Sequence, residues 1–407
     1  DNSIYTHDVS GTDSTASSNA AYGIEALDAI TTGDENVAIG RKALTDNNSG
    51  SSNVAIGMEA AHDNTTGSQN VAIGKLAGTK TNSNSVAVGY TALRNNTSSG
   101  NVAIGKEAGL ANTSGARIVA IGTEAYDAAD TENDNLAIGQ SALGGSVAGG
   151  EFNVAIGNYS LDALTSGDYN VALGYNSGSA INSGEAHTLV GNEAGRKITT
   201  SAHNTCIGYF AGGELTTGAS SIAIGSLALD GCDTESDNLA IGFGALGSSD
   251  LAGGEYNVAI GNYALDALTS GDRNTSVGYG SGTDLTTAVD LAALGYNAGA
   301  NVTEGTHNTF LGSEAGLSVT TGSRNTIIGV AGWNFDTEND NLGIGYNALG
   351  GAINGGEDNI AIGNGALEAL TSADGTIAIG FEAGHAVTTD GGGSIFIGKA
   401  AGHDITT

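Results

Sequence analysis

Three acidic hexapeptides stand 103 residues apart in this sequence: Asp130-Thr131-Glu132-Asn133-Asp134-Asn135, Asp233-Thr234-Glu235-Ser236-Asp237-Asn238 and Asp336-Thr337-Glu338-Asn339-Asp340-Asn341. Alternating carboxylates on a turn offer hard oxygen ligands. Asp130, Glu132 and Asp134, with Asp233, Glu235 and Asp237 and with Asp336, Glu338 and Asp340, are therefore the candidate metal ligands, and Ca2+ is the one cofactor they point to. Neither the EF-hand loop nor the glycine-rich Ca2+ nonapeptide is matched. Duplication of a longer block explains the spacing without any ligand, and acidic side chains on a turn are ordinarily just solvated. The other reactive residue types form no constellation. His7, His62, His187, His203, His307, His385 and His403 show no HxxxH or Cys-His spacing, which leaves zinc catalysis without support. No Ser-His-Asp set or nucleophile elbow stands out either, so catalysis is not expected.

The elements that carry these residues are set by a repeat. Anchor glycines preceded by an apolar tripeptide recur from Gly23, Gly40, Gly57, Gly74 and Gly89 to Gly380 and Gly398. There are 23 anchors, and 15 of the 22 intervals are 17 residues, the rest ranging from 15 to 19. That period is too short for a helix pair or a propeller blade and fits one coil of a parallel β-solenoid with two short strands and two corners. Twenty-two steps of the inter-strand spacing would amount to roughly 105 Å. The chain has no Pro, as coils bonded on both sides require. The expected organisation is an N-terminal cap or connector over 1–22 and a continuous all-β solenoid, or β-roll, over 23–407, with a six-coil super-repeat visible over 130–384.

Composition agrees. Gly is 67 of 407 residues without a Gly-X-Y triplet, which excludes collagen, and aromatic residues at 5% are too few for an ordinary globular core. A formal net charge of −32 argues against nucleic acid or an anionic membrane as partner. No run of 18 apolar residues is present, so no membrane insertion is expected. The start at Asp1 suggests a processed chain or a portion of a longer one.

Within a coil, the residues one and three before the anchor are mostly Ile, Val or Leu, and their period of two reads as the interior of the coil. The column between them should then face outward and be wet, yet 15 of its 22 members from Ala38 onward are Ala. An uncharged outward face of small residues reads as covered by identical chains. The expected oligomer interface is therefore Ala38, Ala55, Ala72, Ala103, Ala137, Ala155, Ala172, Cys206, Ala240, Ala259, Phe310 and Phe396. Cys206 lies in this column and Cys232 in an apolar column of the second strand, so the two should point into different compartments and form no disulfide. Asn four before the anchor, as at Asn36, Asn53 and Asn70, reads as a corner ladder of hydrogen bonds. Thr pairs such as Thr31-Thr32 and Thr65-Thr66 raise an alternative ice-binding role, though corner positions account for them by turn chemistry.

Asn-Val-Ala-Ile-Gly-x-x-Ala, once per coil, resembles the head repeats of YadA-type trimeric adhesins, and similar coils occur in phage tail fibres. The likeness covers about residues 20 to 402. It implies a left-handed β-roll, a homotrimer, an extracellular place on a virion or bacterial surface, and a role as a fibre that attaches to an unknown surface receptor or polysaccharide. A cation-dependent surface filament is the other alternative the acidic loops leave open.

Overall fold

The structure, a computed structural model, describes residues 15–80, 82–247, 252–330, 336–351, 353–389 and 392–405, and the backbone of Ile4–Tyr5. His7 and most of the expected cap lie outside these residues. The chain forms two compact units, Asp1–His203 and Asn204–Thr407. Among the described residues there is no helix, and each unit carries twelve short strands, from Ile4–Tyr5 to Thr188–Val190 in the first and from Thr205–Ile207 to Ile395–Ile397 in the second. Within each unit the strands pair in parallel, residue for residue, with the strand of the next coil: Val37 with Val54, Ala38 with Ala55, Ile39 with Ile56. Each unit is thus a parallel β-solenoid of about 17 residues per coil, and the ladder takes in Ala20–Tyr22 and Ile4–Tyr5 ahead of the expected boundary.

The expected second strand is absent from the described coils. The residues after each anchor form successive turns, with left-handed backbone two and four positions beyond the glycine, as at Lys42 (φ 62°) and Leu44 (φ 51°). An L-residue in that region costs about 1–2 kcal/mol. Inter-coil hydrogen bonds offset it: Lys42 N donates to Ile24 O at 2.8 Å and Leu44 N to Ala60 O at 3.0 Å. The anchor itself must be glycine for two reasons. Gly40 has φ +130°, and a Cβ there would lie 2.5 Å from the carbonyl oxygen of Gly57 in the next coil.

The strand faces are the reverse of the sequence expectation. Ala38, Ala55, Ala103, Ala137 and Ala240 are 0% exposed inside their own coil, whereas Ile39 before the anchor is 41% exposed. A three-residue strand presents one side chain to one face and two to the other. The single inward position is the alanine, and the two bulky aliphatics point out. The interior is too thin for the opposite arrangement. It is lined by that column, by the alanine three after the anchor, and by aliphatics farther on such as Leu44, Leu164 and Ile198, all buried. Where the inward residue is large, the residue opposite shrinks. A Cβ on Gly316 would come within 2.6 Å of the Phe310 ring, one on Gly195 within 2.8 Å of Leu189, and one on Gly212 within 2.6 Å of Cys206 Sγ.

Candidate interaction face

The expected interface residues Ala38, Ala55, Ala72, Ala103, Ala137, Ala155, Ala172, Cys206, Ala240, Ala259 and Phe310 are buried in their own units and cannot meet another chain. Phe396 is half-buried, and its ring likewise packs inward, 2.2 Å from where a Cβ on Gly402 would stand. The surface that remains open is the other side of the same strands. In the first unit Ile39, Ile56, Ile73 and Ile104 are exposed, and in the second Ile207, Ile222, Leu294, Leu311, Ile379, Ile395 and Ile397. Aromatic rings extend this face just past the anchor, at Tyr90 and Tyr175 in the first unit and at Tyr209, Phe243, Tyr279, Tyr296, Tyr346 and Phe381 in the second, all exposed. Phe243, Tyr263, Tyr279 and Tyr296 form a ladder with ring centroids 5.4, 5.9 and 5.7 Å apart. On the other flank Phe152 stacks on Tyr169 at 5.3 Å. Single exposed apolar residues are ordinary, but a stripe repeated coil after coil is not typical of a chain that stays alone in water. The aromatic column could have been found in the sequence, since it recurs at a fixed offset from the glycine.

The Asn ladder is present as expected. Asn53 N donates to Asn36 Oδ1 at 3.0 Å while Asn53 Nδ2 donates to Gly67 O at 2.9 Å, and the same pair of bonds recurs at Asn170 and at Asn274. His187 takes one place in it, with its N–H bonded to Asn170 Oδ1 and its ring Nε2 2.9 Å from Ser201 O. Cys206 and Cys232 are both free and buried, and burial pushes the Cys206 thiol up to about 12. They share the coil interior of the second unit and do not sit in different compartments, because the column of Cys206 faces inward.

The acidic turns do not gather their carboxylates. Glu132 is buried and bonds to its own turn: Oε2 accepts from Asp130 N and Thr131 N at 3.1 and 3.0 Å, and Oε1 accepts from Gly149 N of the next coil at 2.9 Å. Glu235 and Glu338 repeat this with Gly253 and Gly355. Burial would raise the Glu235 pKa, but the N–H groups of Gly253, Asp233 and Thr234 outweigh it and hold the carboxyl below its usual value. Asp130, Asp233 and Asp336 accept from the hydroxyls of Thr113, Thr216 and Thr320 one coil back. Asp134 and Asp340 are gripped by Arg117 and Arg324, each through two bonds of 2.6 Å. Asp237 N donates to Ala219 O. Among the described residues the ligand-type atoms that do converge belong to Asp46, His62 and Asp63, all within 4.8 Å. The threonines of the pairs lie in corners, and the first of a pair can bond to the next coil, as Thr31 Oγ1 does to Asn48 O at 3.2 Å.

Compared with protein-family profiles, curated proteins and solved structures, the chain matches none. No helix among the described residues is long and apolar enough to cross a membrane.

Proposed function

We propose that this chain is a structural and adhesive fibre segment, extracellular and not an enzyme, that assembles with copies of itself through the outward face of its strands. The observation that carries the reading is the exposed apolar stripe beside the anchor glycines, built of Ile and Tyr in the first unit and of Ile, Leu, Tyr and Phe in the second. A second copy of the same stripe is its economical cover, because closed symmetry buries one patch from each subunit. The likeness to trimeric adhesin repeats makes three copies the expected number, with a virion or bacterial surface fibre as the setting and a surface receptor or polysaccharide as the further partner. Short inter-coil bonds on every side suit such a segment to rigid presentation of its corners.

Cross-linking tests this. A cysteine at Ile104→Cys, on the open face, should give covalent chain-to-chain products with a short bis-maleimide, while Thr66→Cys, in an exposed corner, should not. Equal yields from the two positions, or none from Ile104→Cys, would remove the proposal.

A further inference from the structure

The shortest coil of the repeat leaves a notch. Only 15 residues separate Gly74 from Gly89, against the usual 17, so the corner of this coil is two residues short between fuller neighbours. A cleft of about 350 Å³ opens there, lined by Glu59, His62, Thr79, Lys80, Arg94 and Asn95 among others, and a second basin of about 290 Å³ adjoins it, sharing Asp63 and Lys80. These volumes fall around the lower end of small-ligand sites, and the lining is hydroxyl, amide and charge rather than apolar.

The charges in the notch are unevenly matched. Glu59 is paired with Arg41 at 3.3 Å, and Asp63 Oδ1 lies 2.5 Å from His62 Nδ1. Lys80 and Arg94 have neither a carboxylate partner nor an aromatic ring among the described residues. In a chain of net charge −32, carboxylates are abundant. Elsewhere cations find them, as Lys42 does Glu25, Lys106 does Glu124 and Arg273 does Asp290. Two cations without an ion-pair partner among the described residues therefore line one polar cavity, beside Glu59 and Asp63, which are bonded to Arg41 and His62.

From this we infer that the notch binds an acidic saccharide, a sugar residue whose carboxylate lies between Lys80 and Arg94 while its hydroxyls, and those of a neighbouring sugar, bond to the amide and hydroxyl groups of Asn95, Asn82 and Thr97. Arg offers a planar pair of donors to a carboxylate and Lys a point charge, which suits one anionic group better than a neutral ring. The inference rests on the adhesive reading for its purpose, but not for its geometry.

The test is calorimetric titration of the whole chain with a tetrasaccharide of alternating glucuronic acid and N-acetylglucosamine, beside the neutral N-acetylglucosamine tetrasaccharide and inorganic sulfate. Binding of the acidic sugar alone is expected. It should weaken about tenfold or more in Lys80→Gln/Arg94→Gln and, in the parent, on raising NaCl from about 0.05 M to about 0.5 M. Both positions are exposed, and the salt series supplies the same answer should the double variant not fold. Equal binding of the neutral sugar, equal binding of sulfate, no binding of the acidic sugar, or no response to either the substitutions or the salt would overturn the inference. Particle mass measured on the same sample separates the two readings: a monomer that binds leaves the notch standing without the fibre, and an oligomer that does not bind removes the notch alone.

Discussion

Phe310 and Gly316 behave as one packing unit, because the ring fills the space that a leucine occupies in coils built on Ala and Leu. Phe310→Ala should cost about 3–5 kcal/mol by leaving a cavity. Gly316→Leu should be destabilising as well, since its Cβ alone meets the ring at 2.6 Å. The double variant Phe310→Ala/Gly316→Leu recreates the common Ala and Leu pairing and should recover most of the loss. Thermal melts of the two single variants and the double form the cycle that checks it, and additive losses would contradict the inward orientation of Phe310. Asp230 gives a pH prediction. Burial raises its pKa to about 6, so it favours folding while protonated and loses that contribution as the pH rises through about 6. Asp230→Asn should therefore raise stability at pH 8, by on the order of 1 kcal/mol once the half-exposure of the group is allowed for, and leave it unchanged below about pH 4. An equal effect at both pH values, read from melts, would refute this.

At the scale of the element, the acidic turns act as caps for neighbouring coils. Glu132→Ala leaves the N–H groups of Asp130, Thr131 and Gly149 without their acceptor and should cost about 1–3 kcal/mol, while a chelator should not move the melting temperature. A fall in melting temperature on chelation would restore the cation reading of Asp130, Glu132 and Asp134. The strand element shows how far the sequence could be read. Coil period, Asn ladder and parallel register were legible because they repeat with the anchor glycine, as Asn36, Asn53 and Asn70 do. The direction of the strand was not. Apolar size suggests burial, since burial free energy grows with area, and that argument sends Ile39 inward and Ala38 outward. Space decides otherwise, because opposite a leucine of the facing turn only a small side chain fits, and a large one such as Phe310 is accommodated where that turn carries glycine. The signal lay in paired columns: Leu189, Cys206, Phe310 and Phe396 are each followed six residues on by Gly195, Gly212, Gly316 and Gly402. The left-handed turns after the anchor were hidden for another reason, since Lys42 and Leu44 carry no local preference for that backbone and adopt it through bonds to other coils.

For the whole molecule, the corrected orientation changes which substitution reports on assembly. Ala137→Glu would place a carboxylate inside its own coil and unfold the chain whether or not it has partners. Lysines on the outward face test assembly itself, and in a chain of net charge −32 they do not add to its general repulsion. The direct measurement is the mass of the particle in solution by light scattering, for the parent chain and for Ile39→Lys/Ile73→Lys/Ile104→Lys, with circular dichroism to show that both are folded. The parent should have three times its 40.0 kDa chain mass, and the variant should retain its β spectrum at a lower mass. A parent that measures 40.0 kDa, with the variant equally soluble and equally stable, would contradict the claim that the open strand face is where copies of this chain meet.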